Sequence, residues 1–110
     1  MRFNYRLIAV VAALGICAPA SAAIDAKAAT DILTKAGCNA CHQQDKKVLG
    51  PAYKDVSAKY KGNAKAPDLL MQKVRAGGSG VYGPIPMPPN PKEKINDDDL
   101  RKLVTWILTL

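Results

Sequence analysis

Nine of the eighteen residues in GGSGVYGPIPMPPNPKEK, Gly77 to Lys94, are glycine or proline. Proline fixes φ and removes a backbone donor, and glycine weakens any regular element, so neither helix nor strand can run through this stretch. Any fold for this chain must therefore accommodate a long irregular loop near its C-terminal end. In a small domain such loops usually carry function.

On both sides of the loop the apolar residues recur at helical spacing. After Asp25, a suitable cap, Ala29, Ile32, Leu33 and Ala36 fall on one face and stop at Gly37. From Pro51, the residues Tyr53, Val56 and Tyr60 share a face, and Gly62 ends the segment. A third pattern opens with Pro67 in its first turn and is expected to turn Leu69, Leu70 and Val74 inward until Gly77-Gly78 breaks it. The fourth is the clearest. Asn96 caps it, Asp97 to Asp99 occupy a first turn that favours negative charge, and Leu100, Leu103, Val104 and Ile107 form one side, with Trp106 beside them. No run alternates like a half-buried strand and no segment repeats. The predicted class is all-α, with about four helices.

The N-terminal stretch stands apart. MRFNYRLIAVVAALGICAPASAA has Arg2 and Arg6, an apolar run from Leu7 to Ala18, and small residues ending in Ala20-Ser21-Ala22. This pattern predicts a secretory signal peptide over residues 1–22, with an uncleaved anchor as the alternative. The run is short for a membrane span. Cys17 could suggest a lipid acceptor, but bulky Ile16 precedes it where such sites use a small residue. Cleavage after Ala22 leaves residues 23–110 as one domain and removes two arginines, lowering the formal charge from +7 to +5. A domain of that size buries a modest core and commonly needs a disulfide, a metal or a large cofactor to staple it.

The remaining cysteines lie in GCNACHQQ, as Cys38 and Cys41, next to His42, the only histidine of the chain. A disulfide between them would close too short a loop to restrict the unfolded chain much. Zinc needs about four ligands, so these three would require a carboxylate as the fourth. A redox dithiol of the thioredoxin kind follows a strand in a β-α-β setting, whereas this motif follows an alanine-rich helix pattern. A local disulfide with an incidental histidine accounts for neither the position of His42 nor the missing staple. Cys-x-x-Cys-His is also the signature of covalent haem attachment, in which two thiols take the porphyrin vinyl groups and the histidine becomes an axial ligand. Export agrees with that chemistry.

A haem that only transfers electrons wants a sixth ligand, and a methionine thioether is a common partner of histidine. Residues 23–110 contain Met71 and Met87. Met71 falls within the third helix pattern, where it reads as an adaptable packing residue. Met87 stands in Pro84-Ile85-Pro86-Met87-Pro88-Pro89, where the following proline holds it extended in a stiff strap. The alternative for Met87 is an exposed proline-rich linker.

Through GCNACH, VLGPAYKDVSAKY, GPIPMPPN and the terminal DDDLRKLVTWIL, the chain resembles the short bacterial class I cytochromes c, over essentially the whole of residues 23–110. The resemblance implies four helices around one covalent haem c. It implies Cys38 and Cys41 as thioether sites, His42 as proximal ligand and Met87 as distal ligand. It also implies that the Pro51 carbonyl accepts the second N–H of His42, and that Asn90 steadies the ligand sulfur. Two departures stand out: Leu33 replaces an aromatic common where the first helix crosses the last, and Tyr82 stands where a haem-facing tryptophan is frequent. A hydrogen bond from Tyr82 to a haem propionate is the corresponding expectation.

The function so implied is single-electron transfer in the periplasm, between respiratory donors and a terminal oxidase or reductase, by a monomeric carrier that is not an enzyme. The positive charge favours partners with acidic docking surfaces, with Lys46, Lys47, Lys54 and Lys59 as candidates around the exposed haem edge. Nucleic-acid binding and stable membrane insertion are not expected. If Met87 bound weakly, the iron could instead take up nitric oxide or peroxide, as in a gas-binding protein or small peroxidase. A docking module without haem is a third class.

Overall fold

The computed structural model describes residues 12–15 and 23–110. The expected signal peptide, apart from residues 12–15, and Cys17 with it, lies outside the described residues.

Four helices form where the apolar spacing places them: α1 (Ala26–Lys35), α2 (Tyr53–Tyr60), α3 (Ala66–Ala76) and α4 (Asp97–Ile107). Their ends follow from local chemistry. The Asp25 carboxylate accepts from the Ala28 N–H at 2.8 Å, and the Asn96 side chain accepts from the Asp99 N–H at 2.7 Å. Each satisfies a donor that the first turn of a helix leaves unpaired. Pro67 occupies the first turn of α3, where its missing N–H costs nothing. Among the described residues there is no strand, only the isolated bridges His42 to Lys47 and Gly78 to Met87.

Helix α4 packs against each of the other three. Leu100 and Val104 are its fully buried residues, and Leu103 and Ile107 extend the same stripe. They meet Ala29 and Leu33 from α1 and Leu70 from α3. Ala29 is fully buried, so a methyl group at this position lets α1 and α4 approach closely. On the α1 side the buried residues are Ala29 and Leu33, so α1 brings no aromatic ring to the core. Burying a side chain such as Leu100 contributes roughly 1.5–3 kcal/mol, so this one crossing holds a large share of a small domain's stability.

One expectation is corrected. Leu69 was expected inward, but it is 39% exposed. Leu70 and Val74 lie four residues apart and share the face that α3 turns toward the core. Leu69 is rotated about 100° from Leu70 and falls outside that stripe.

Candidate functional site

The first wall of the site is built by the Cys-x-x-Cys-His segment. Gly37, at φ 76°, takes the left-handed conformation that ends α1 and opens a 3-10 turn over Cys38–Ala40. The Cys38 carbonyl accepts from both Cys41 N–H (3.2 Å) and His42 N–H (3.1 Å), which folds the two cysteines and the histidine into one tight turn. The chain then doubles back. Gly50 N–H donates to Cys41 O at 2.8 Å, and Tyr53 N–H donates to Gln43 O at 3.0 Å.

This return brings Pro51 against His42, with His42 Nδ1 at 2.8 Å from the Pro51 carbonyl. A carbonyl can only accept, so Nδ1 carries the proton, and in the neutral imidazole Nε2 then has the free lone pair. Tyr53 stacks on the imidazole with ring centroids 5.4 Å apart and planes 25° from parallel. Gly50 completes the seat, because a Cβ there would run into the His42 ring.

The second wall is the proline strap. Gly77, at φ 67°, ends α3, and a Cβ on it would strike the Met87 carbonyl oxygen. Gly78 and Met87 exchange backbone hydrogen bonds of 3.0 and 2.8 Å, pinning the methionine to the end of the helix. Asn90 lies behind the strap and is buried. Its side-chain amide donates to Val74 O and Pro88 O, both at 3.1 Å, so it holds the strap through the backbone.

Between the walls lies a cavity of about 240 Å³, lined mainly by apolar side chains, among them Leu33, Val56, Leu70, Val74, Leu103 and Ile107. Cys38, Cys41, His42, Pro51, Tyr82 and Met87 all line it. Asn90 does not, and Met71 packs at the edge of the core. Leucines and valines from α1, α3 and α4 thus point into a space that the helices leave unfilled.

The donor set discriminates between the chemistries that the sequence leaves open. Cys38 and Cys41 are both free thiols and both half-buried. Burial pushes the Cys38 thiol above its ordinary pKa, with Lys94 opposing more weakly. An attacking thiol of a redox pair needs the opposite shift. Among the described residues no three His, Cys, Asp or Glu side chains gather where they could hold a metal ion directly, so no carboxylate joins the motif to make a zinc site.

A covalent haem fits the residues present. It needs two free thiols, a neutral imidazole with its outer nitrogen fixed, a soft second ligand and apolar walls. The hydroxyl groups of Tyr53 and Tyr82 add a further sign, being buried without a hydrogen-bond partner. Buried hydroxyls normally find partners, and a group with carboxylate acceptors seated in the cavity can supply one. Burial also pushes the Tyr82 hydroxyl above its usual pKa. Lys59 Nζ lies 6.0 Å from the Tyr82 ring centre.

From the sequence, Tyr53 falls only on a helix face, Gly77 only ends the third helix, and Gly50, Lys73 and Arg75 carry no role. Lys73 lines the cavity from α3. A Gly-Pro pair just before a helix, and two glycines just after one, were the available signals for the glycines.

The comparisons with known proteins identify the family of the chain. The family model for cytochrome c matches residues 26–110. Cytochrome c-551 of Allochromatium vinosum is 53% identical over 76 residues, covering 69% of this chain and 79% of that protein. Cytochrome c2 of Rubrivivax gelatinosus is 47% identical over 78 residues, covering 71% and 92%. The crystal structure of wild-type Nitrosomonas europaea cytochrome c552 superposes with a TM-score of 0.69 at 48% identity, covering 74% of this chain and 98% of that one. The chain belongs to the cytochrome c family, among its small class I members. Its cofactor is one covalently attached haem c, and its function is electron transfer between redox partner proteins.

Proposed function

We propose that Cys38 and Cys41 would hold the haem through two thioether bonds, that His42 Nε2 and Met87 Sδ would hold its iron, and that the protein is an exported, monomeric electron shuttle. The observation that carries this reading is the pairing of a seated imidazole, Nδ1 tied to Pro51 O at 2.8 Å, with a backbone-pinned methionine across one apolar cavity.

The haem, when bound, supplies one-electron chemistry as its iron moves between Fe(III) and Fe(II). The protein's residues keep the surroundings nearly unchanged between those states. Pro51, Gly50 and Tyr53 hold the orientation of His42, while Gly77, Gly78 and Asn90 hold the Met87 strap. The Tyr82 hydroxyl, buried without a partner, would donate to a carboxylate of the bound haem. The apolar walls exclude water and favour the reduced, less charged state. With His42 and Met87 both holding the iron, the bound group would supply electron transfer without a place for substrate, and the protein would act as a carrier and not as an enzyme.

Residues 1–22 direct export and are removed, leaving residues 23–110 in the periplasm, where the carrier connects respiratory donors with a terminal oxidase or reductase. Lys46, Lys47 and Lys59 are exposed and favour an acidic partner surface. Lys54 contributes less, since Asp45 pairs with it.

The visible spectrum of the purified protein tests the ligand set. A low-spin ferric form with a weak sulfur-to-iron band in the far red is expected, and the band disappears in Met87→Ala. A high-spin spectrum in the unaltered protein, or rapid carbon monoxide binding to its reduced form, replaces this reading with that of a gas-binding protein or peroxidase.

A further inference from the structure

We propose that Arg75 is a positioning residue for the distal ligand: its guanidinium clamps the chain that follows Met87 and so keeps the sulfur in place. The inference rests on the reading of Met87 as axial ligand.

Arg75 lies in the last turn of α3, just before the Gly77-Gly78 pair. Its Nη1 donates to Asn90 O at 3.0 Å and to Ile95 O at 2.6 Å, and its Nη2 donates to Asp97 Oδ1 at 2.7 Å. The three acceptors span the whole connection from the strap to the first turn of α4. The backbone contributes from the same place, since Asn90 N–H is shared between Val74 O at 3.2 Å and Arg75 O at 3.3 Å. The Arg75 side chain is only 22% exposed, less than the basic partner of any other ion pair among the described residues.

Two physical points turn this network into a constraint on the sulfur. Prolines 84, 86, 88, 89 and 91 make the strap stiff, so fixing it at a few points fixes the methionine between them. Losing the guanidinium also strips a charge-assisted donor from two carbonyls on buried residues, Asn90 and Ile95. Lysine cannot replace the fork, because an ammonium offers no planar set of donors at this spacing.

Arg101 provides the contrast. It bonds Asp68 Oδ1 at 3.0 Å and so also ties α4 to α3, but neither of its ends touches the strap. A residue that merely joins the two helices should behave like Arg101.

The test uses the oxidised haem-loaded protein and imidazole as a competing ligand, followed through loss of the sulfur-to-iron band, with urea unfolding as the measure of global stability. Arg75→Gln is expected to bind imidazole about tenfold more tightly than the unaltered protein, the loss of a charge-assisted hydrogen bond being of that order. Arg75→Lys should fall between the two, and Arg101→Gln should bind imidazole like the unaltered protein even where its urea midpoint drops. Equal imidazole affinities for Arg75→Gln and Arg101→Gln overturn the clamp. If Arg75→Gln does not accumulate folded, Asp97→Asn weakens one of the three contacts by removing the charge of its acceptor and should show a smaller increase, and no increase there overturns the clamp equally. Absence of the sulfur band in the unaltered protein refutes Met87 ligation instead, so the two failures are distinguishable.

Discussion

Gly50 is where a single atom decides the site. A Cβ at this position must enter the space of the His42 ring, and the ring cannot move without lengthening its 2.8 Å bond to Pro51 O or losing its stack on Tyr53. Overpacking of this kind costs about 1–3 kcal/mol. Gly50→Ala should therefore lower the urea-unfolding free energy of the haem-loaded protein by that amount and shift its reduction potential, whereas an unchanged potential would mean that the imidazole is not seated by Gly50. The motif that ends in His42 was legible in the sequence. Its seat was less so: Pro51 came from family resemblance, and Gly50 and Tyr53 needed the folded loop, because hydrogen bonds from Gly50 to Cys41 and from Tyr53 to Gln43 are what bring them to the ring.

At the scale of the element, α4 gathers most of the order. Its apolar stripe and its Asn96 cap follow from sequence periodicity and cap chemistry, and they stand as expected. Its first turn carries Asp97, Asp98 and Asp99, and Asp97 has a second task. Hydrogen bonds from Arg75, then from Lys92, hold its carboxyl below the usual range. A group whose folded pKa is depressed stabilises the fold above its unfolded pKa and loses that contribution as the pH falls through the folded value. Asp97→Asn should thus be less stable than the unaltered protein at neutral pH, with the gap closing in acid, as measured by urea unfolding along a pH series. A gap that persists at low pH would assign the effect to packing and not to charge. Helix α3 shows the limit of periodicity. Leu69, Leu70 and Val74 are all apolar, but α3 buries a single narrow stripe, and only packing against α4 decides that Leu69 lies outside it.

For the molecule as a whole, the core surrounds a cavity instead of filling the centre. Leu33, Leu70, Leu103 and Ile107 belong both to the buried cluster and to the cavity lining, so the cofactor completes the packing that a chain this short cannot complete alone. Residues 23–110 are basic, with a formal charge of +5 once Arg2 and Arg6 are left out of the +7 of the full chain. Exposed charges are screened beyond roughly 10 Å at 0.1 M salt, so steering by Lys46, Lys47 and Lys59 must weaken as salt is added. Stopped-flow oxidation of the reduced protein by ferricyanide should slow by about threefold or more between low and high ionic strength. A cationic cobalt(III) complex should show the reverse trend. Equal salt dependence for the two oxidants would mean that lysines do not shape the field at the haem edge.

The sequence by itself determined the four helices, the caps of the first and last, and the irregular loop, because period, capping and glycine-proline chemistry act over a few residues. It also contained Cys38, Cys41, His42 and Met87, because their side-chain types are rare in this chain and their local settings are distinctive. Only the tertiary structure decided how these groups meet. Gly50 vacates space for the imidazole, Gly77 vacates space for the Met87 carbonyl, and Arg75 reaches Asn90, Ile95 and Asp97 across distances in sequence of 15 to 22 residues. Contacts of that range depend on how α3 and α4 pack, and no local pattern encodes them.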